Sequence, residues 1–304
     1  MQIVKDIRQI VQNLPEYSMD RLSTLLLHFG VSAGTFHSGA FCGTSSFDGS
    51  EQRGHVHLLQ AGELTLRLAD GQEQLLNQPT LLFVPRPYRH RLTASEASNA
   101  QVVCASLTFD GGAGNALAAA LPDYLLLPLD SLPMLGPTLE WLFNEAFHGA
   151  CGREAMVDRL FELLVIQLLR HILDHHHQAP GMMAGLADAR LARALTVIHG
   201  EPQKPWSVAE LAQVSNMSRA SFAAHFRKVV GLTPGDYLVS WRISLAQKRL
   251  REGKSIALIA DEVGYESPSA LARAFRRKTG ASPREWLQGD RGGLVADNRS
   301  IYPR

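Results

Sequence analysis

The sequence predicts an α+β chain in which a small amino-terminal β-barrel with a helical hairpin precedes an all-α domain of two helix-turn-helix motifs joined by one linker helix. Three observations lead there. Residues 33–110 break into short alternating strands separated by turn residues. The last hundred residues carry one pattern twice, SVAELAQVSNMSRASFAAHFRKVVGLTP from Ser207 and SIALIADEVGYESPSALARAFRRKTGASP from Ser255. Charge divides the chain in the same way: residues 186–289 hold 16 Lys and Arg against 9 Asp and Glu, whereas residues 1–185 hold 11 against 18. A formal net charge of +1 over 304 residues therefore hides a basic part suited to a polyanion and an acidic part suited to another task.

Taken in order, the chain opens on a short helical lead (Ile3, Ile7, Ile10, Val11, then Leu22, Leu25 and Leu26). In HVHLLQAGELTLRLADGQEQLL, Gln60-Ala61-Gly62 and Asp70-Gly71 predict two hairpins, and LTLRL alternates as a half-buried strand does. NQPTLLFVPRPYRHRL and AQVVCASLTF continue the pattern, and so many short antiparallel strands close into a barrel. From about Ser131, LPMLGPTLEWLFNEAF and REAMVDRLFELLVIQLLRHILDHHH predict a helical hairpin. Its second helix is apolar over most of its circumference, so either a second subunit covers it, giving a homodimer, or the barrel and first helix bury it internally. Charges interrupt it too often for a membrane span. Residues 174–187, DHHHQAPGMMAGLA, read as a flexible linker whose His175, His176 and His177 converge poorly on one ion. The expected organisation is a sensor and dimerisation domain (1–173), a linker (174–187), the helix-turn-helix domain (188–289) and a disordered tail (290–304).

The repeat supplies the chemistry. With one extra residue in the second turn, Ser218 matches Ser267, Phe222 matches Leu271, Phe226 matches Phe275, Gly231 matches Gly280 and Pro234 matches Pro283. The serines are placed as helix N-caps, Pro268 takes a first helical position, and the glycines stop the helices. With Phe222 and Phe226 turned inward, the outward set of the first reading helix is Arg219, Ala220, Ala223 and Ala224, with Arg227 and Lys228 behind. In the second helix it is Ser269, Ala270 and Arg273, with Arg276, Arg277 and Lys278 behind. A helix fits the B-form major groove with its amino-terminal half at the base edges, so double-stranded DNA is the expected partner. Arg273 is the candidate for a bidentate guanine contact, the alanines offer apolar contact, and the trailing cations hold phosphates. Between the motifs, PGDYLVSWRISLAQKRLREG keeps helical spacing through Tyr237, Leu238, Trp241, Leu245 and Leu250. About 18 residues at ~1.5 Å each span ~27 Å, which brings successive major grooves on one DNA face within reach.

These residues resemble the AraC/XylS family of bacterial transcription regulators. The second motif carries the pattern through Ile259, Ala260, Val263, Gly264, Tyr265, Ser267, Ser269, Arg273, Phe275, Arg276, Arg277, Gly280, Ser282, Pro283 and Trp286, and Arg242, Ala246 and Leu250 fit its linker helix. Leu271, Arg249 and Leu287 depart from it. The resemblance covers about a third of the chain and implies promoter DNA as partner and activation through RNA polymerase. Upstream, Pro85 followed by His90 is similar to the second cupin motif, and Gly54, His55, His57 and Gly62 resemble a degraded first one. The resemblance implies a cupin-like sensor barrel in which His57 and His90 contact a small-molecule effector, or are simply satisfied barrel histidines. Ala61 and Gly62 stand where a metal-dependent cupin places its carboxylate, so no metal, no cofactor and no enzymatic activity are expected. The alternative is a metal-dependent cupin enzyme, or a DNA-repair alkyltransferase, joined to the same DNA module. The alkyltransferase would need an amino-terminal cysteine-rich site, which the sequence lacks.

Cysteines stand at 42, 104 and 151 without CxxC spacing. Cys42 and Cys104 fall on strands of the same barrel, which leaves open a redox-sensing pair or plain core packing, with Cys42, beside Gly43 and Ser45, the better exposed. The start lacks the charged-then-apolar pattern of a secretory signal, so a bacterial cytoplasmic location with reduced thiols is expected.

Overall fold

The computed structural model describes residues 20–51, 53–112, 115–175 and 179–295. Ile3, Ile7, Ile10 and Val11 of the helical lead, and His176 and His177, lie outside the described residues. A short helix α1 (Ser23–His28) leads into eight strands: β1 (Val31–Phe41), β2 (Gly43–Phe47), β3 (Gly54–Ala61), β4 (Leu64–Leu68), β5 (Glu73–Leu76), β6 (Thr80–Val84), β7 (His90–Ala94) and β8 (Ala100–Phe109). After helix α2 (Ala116–Ala119) comes β9 (Leu125–Pro128), then the helical hairpin α3 (Gly136–Phe147) and α4 (Arg153–His175).

The barrel is built from two antiparallel sheets, one ordered β1-β8-β3-β6-β9 and the other β2-β7-β4-β5. Strand β3 shows why: it is buried on both faces, with Leu59 turned to the space between the sheets and Val56 and Leu58 packed toward the helices. Parity sorts β6 and β8 in the same way, Leu82, Val84, Val102 and Cys104 facing the inner core while Leu81, Phe83, Val103 and Ala105 face outward. Of the two expected hairpins, Asp70-Gly71 forms one, between β4 and β5. Gln60-Ala61-Gly62 does not, because β3 pairs with β6 and β8 while β4 pairs with β5 and β7, so the chain crosses there from one sheet to the other.

Helix α4 lies across β1 and α3 and buries Leu160, Phe161, Leu164, Val165, Leu168, Leu169, Ile172 and Leu173 within its own chain. The apolar circumference thus needs no second subunit, and the homodimer argument drawn from it is lost. The expected linker also changes character. Residues 182–187 form helix α5 (Met182–Ala187), whose Met182, Met183 and Leu186 are buried against α6 (Leu191–Gly200) and α8 (Arg219–Val230), because those side chains complete the core of the helical domain.

That domain continues with α7 (Val208–Val214), which precedes α8, then α9 (Pro234–Arg251), α10 (Ile256–Glu262), α11 (Pro268–Thr279) and α12 (Pro283–Val295). Residues 290–295, placed in the expected tail, belong to α12, which runs through Val295, and residues 296–304 lie outside the described residues. Each motif starts on a capped turn: Ser207 forms a capping box with Glu210, and Ser218, Thr233, Ser255 and Ser267 each accept a backbone N–H three residues on. Caps of this kind stabilise a helix by about 1 kcal/mol each.

Helix α9 is held to both motifs by a buried cation. Arg242 donates from Nε to the carbonyl of Pro202 at 2.7 Å, from Nη1 to that of Gly264 at 3.1 Å, and from Nη2 to that of Lys204 at 2.9 Å. Gly264, at φ +79°, permits this approach, since a Cβ there would sit 2.4 Å from the carbonyl oxygen of Gln203. Arg242→Ala would leave buried carbonyls unpaired and should lower the unfolding free energy by about 2–4 kcal/mol, measured by urea unfolding. A loss below about 0.5 kcal/mol, the range of ordinary surface changes, would show that the cage is not structural.

Candidate functional site

The two helices expected to read DNA, α8 and α11, stand on the surface of the carboxy-terminal domain. In α8, Phe222, Phe226 and Val230 are buried, and Arg219, Ala220, Ala224, Arg227 and Lys228 are exposed, with Ala223 half-buried. In α11, Leu271, Ala274 and Phe275 are buried, and Ser269, Arg273, Arg276, Arg277 and Lys278 are exposed, with Ala270 half-buried. The inward aromatics thus fix the outward faces. Arg219 is the first residue of its helix and Ser269 the second of its own, so both stand where the amino-terminal turn would enter a groove. Ala270 also has a capping role, as its N–H bonds to the Ser267 hydroxyl at 3.2 Å.

The basic residues are not equivalent. Arg276 is paired with Glu285 of α12 at 2.9 Å, an exposed ion pair that, among the described residues, the other basic residues of α11 do not make. Behind the first reading helix, His225 bonds the Asp188 carboxylate at 2.7 Å and ties α8 to the segment before α6. Gly231 and Gly280 close both helices in the left-handed conformation, at φ 82° and 81°.

The second site lies between the sheets. His57 and His90 come together with their Nε2 atoms 3.0 Å apart, and His55 joins them so that one ligand-type nitrogen from each lies within 4.8 Å of the others. His55 and His57 project from β3 on the inner face, and His90 meets them from β7 of the opposite sheet. The H-x-H spacing was the signal for His55. The histidines are buried rather than open at a mouth, and Phe47 stacks on His90 with centroids 4.6 Å apart while Phe36 meets both others edge-on.

Burial is the main reason all three imidazoles are hard to protonate, helped for His55 and His57 by the neighbouring His90, and His55 is pushed down to about 4. His90 Nδ1 and the Tyr88 carbonyl lie 2.7 Å apart, which makes Nδ1 the donor. Its Nε2 then accepts from His57, whose Nδ1 is left buried without a partner, as is that of His55. Three neutral imidazoles, each bringing one nitrogen to within 4.8 Å of the others, suit a divalent cation in donor type. The expectation of no metal rested on the missing carboxylate, and these residues could hold an ion without it.

The thiols are not a pair. Strand register sets Cys104 opposite His37 and Phe41 opposite Ala100, so Cys42 lies about five residues, roughly 16 Å, along the strand from Cys104. A disulfide needs Cα atoms within about 7 Å. Burial pushes the Cys104 thiol up to about 12, which makes it core, while Cys42 is exposed. Among the described residues, no helix is long and apolar enough to cross a membrane.

A family model described as Cupin matches residues 20–174, and one described as Helix-turn-helix domain matches residues 211–289. A putative AraC-like transcription regulator of Streptomyces lividans is 34% identical over 199 residues, 64% of this chain and 65% of the relative, so the match spans just under two thirds of that protein. The RCS-specific HTH-type transcriptional activator RclR of Escherichia coli (strain K12) is 26% identical over 279 residues, 89% of this chain and 98% of that one. Among solved structures, the DNA-binding domain of AdpA in complex with a target DNA is similar at 29% identity over 37% of this chain and 99% of that one, with a TM-score of 0.32.

The histidine cluster makes stability depend on pH. Unfolded imidazoles take up protons below about 6.5, whereas His55 in the fold does not until about 4, so its contribution is complete above pH 6.5 and drains as pH falls between those values. Unfolding free energy should therefore fall from pH 7 to pH 5, with a slope of up to about 1.4 kcal/mol per pH unit for each such histidine. His57→Leu should flatten the slope in urea melts, and an unchanged slope would show that other groups govern it.

Proposed function

The chain belongs to the AraC-type regulators that carry an amino-terminal cupin domain, and from that premise we propose that it is a sequence-specific DNA-binding transcriptional regulator, an activator, controlled by a signal received in its amino-terminal half. One observation carries the reading: two capped helices with matching inward aromatic or apolar anchors expose their amino-terminal faces from one shared helix. That arrangement suits two major-groove contacts on one face of a duplex about one turn apart. Arg273 reads a base by hydrogen bonding, Arg219 and Ser269 stand at the groove entrance, Ala220, Ala223, Ala224 and Ala270 fit apolar edges, and Arg227, Lys228, Arg277 and Lys278 hold phosphates.

The chain works by binding, not catalysis. The loss of the cupin carboxylate position to Ala61 and Gly62 supports this over oxygenase chemistry. The location is the bacterial cytoplasm, where the exposed Cys42 thiol is reduced and open to oxidants. RNA polymerase is the partner at the promoter, as the activator named among the relatives suggests. A homodimer is supported now only by Trp141, Met156 and Leu163, large apolar residues left exposed on the helical hairpin.

Selection of bound fragments from random DNA, at a stated near-physiological salt, should yield two half-sites about 10–10.5 base pairs apart. Arg273→Ala should relax preference at one base pair and weaken binding by about 1–3 kcal/mol, while Lys278→Ala should weaken all sequences alike and reduce the salt slope. An Arg273→Ala protein that selects the wild-type sequence at full stringency would remove Arg273 from base reading. No enriched sequence for the wild-type chain would sink the regulator.

A further inference from the structure

A cavity of about 620 Å³ lies where the two halves of the chain meet. Its walls come from segments far apart in sequence: the α2 region with Ala120 and Leu121, α4 with Ile172, the start of α5 with Met183, the turn after α8 with Leu232, and α9 with Trp241. The volume falls in the range of small-molecule sites, ~300–1,000 Å³. We propose that this cavity is the effector site, and that it takes a neutral, largely apolar small molecule that touches the sensor half and the linker helix at once. The inference rests on the ligand-controlled regulator reading above and names the site and the class of ligand.

The lining decides the chemistry. Among the described residues none that lines the cavity is charged, so a carboxylate or ammonium entering it would be desolvated without a counter-charge from them. Polar character is confined to one wall, where α9 contributes Ser240, Ser244 and Tyr237. Ser240 donates to the Asp236 carbonyl at 2.8 Å, and the Tyr237 hydroxyl lies 2.6 Å from His199 Nε2. Both hydroxyls are thus positioned by the fold, and a hydroxyl or carbonyl on the ligand would be oriented toward α9.

Position gives the site its consequence. Polar links between the halves near the cavity include Arg21 to the Leu186 carbonyl at 2.9 Å, Lys248 to the His28 carbonyl and to Asp110 at 3.4 Å, and Arg251 to the Gly111 carbonyl. Trp241 packs edge-on against Phe29 of the sensor half, with centroids 5.2 Å apart, and also borders the cavity. A molecule seated there adds apolar contact to both halves in this docked arrangement and to neither fully when they part. It must therefore shift the balance between the two, and with it the placement of α8 and α11, which α9 carries.

The test uses the full chain and the neutral fluorophore N-phenyl-1-naphthylamine. Fluorescence should rise to saturation with one site per chain. Ser244→Leu and Ala120→Leu fill the cavity from opposite walls, and each should weaken probe binding about tenfold or more. If one variant fails to fold, the other still decides. Unlabelled 1-decanol should displace the probe and decanoate should not. Saturating 1-decanol should change affinity for the selected DNA by about fivefold or more in the wild type and not in the filled variants.

Undiminished probe binding in the filled variants, or none in the wild type, would overturn the site. Equal displacement by decanoate would overturn the neutral ligand class. DNA affinity indifferent to 1-decanol would overturn the effector role while leaving the regulator intact. Absence of sequence-selective DNA binding under every condition, with probe binding as described, would instead overturn the regulator and uphold the cavity as a binding site.

Discussion

The guanidinium of Arg242 sits among main-chain carbonyls, and the geometry of the carboxy-terminal half depends on it. A buried cation must be hydrogen-bonded or the fold loses several kcal/mol, so the segment at 202–204 and the turn at Gly264 are obliged to stay where they meet α9. One contact point belongs to the approach to the first motif and the other to the turn of the second. Two reading units that could each tumble on a flexible tether are thereby fixed on one helix. Two half-sites held in register bind as a single unit, whereas two loosely tied ones gain only an effective concentration.

The same helix is where the amino-terminal half takes hold. Trp241 presents one side to His199, with centroids 4.1 Å apart, and meets Phe29 on the other. Farther along, Lys248 and Arg251 reach the loop that follows β8. Arg251 also lies over the ring of Trp286, 4.5 Å from its centroid, so the loop, the linker helix and the last helix share one residue. A change in the sensor half thus has a short physical route to both reading helices. The histidine cluster lies between the sheets with Phe36 and Phe47 packed on it, and its His55 and His57 stand on a strand that pairs with β8, the strand leading into that loop.

The helical domain was largely legible because its signals are local. Caps at Ser207, Ser218, Ser255 and Ser267, stops at Gly231 and Gly280, and the spacing of Phe222 and Phe226 depend on neighbours within four residues. The barrel was legible as a class but not in its connections: Gln60-Ala61-Gly62 has hairpin chemistry, yet whether flanking strands pair or part is decided by β6, β7 and β8, which come later in the chain. The reach of Cys42 toward Cys104 failed for the same reason, since only register gives their separation. Burial of α4 against β1, and the packing of α5 in what had looked like a linker, are tertiary outcomes that apolar content alone leaves open. Among the site residues, the exposed faces of α8 and α11 followed from period, whereas the pairing of Arg276 with Glu285 needed the path of α12.

The central claim, that one caged helix holds two reading helices in fixed register, is tested most directly by hydroxyl-radical footprinting of the full chain on a single selected DNA fragment. Two protected patches are expected on one face of the duplex, about 10–10.5 base pairs apart, appearing together at the same protein concentration. Protection of one patch alone, or of two patches that fill at separate concentrations or at variable spacing, would contradict it.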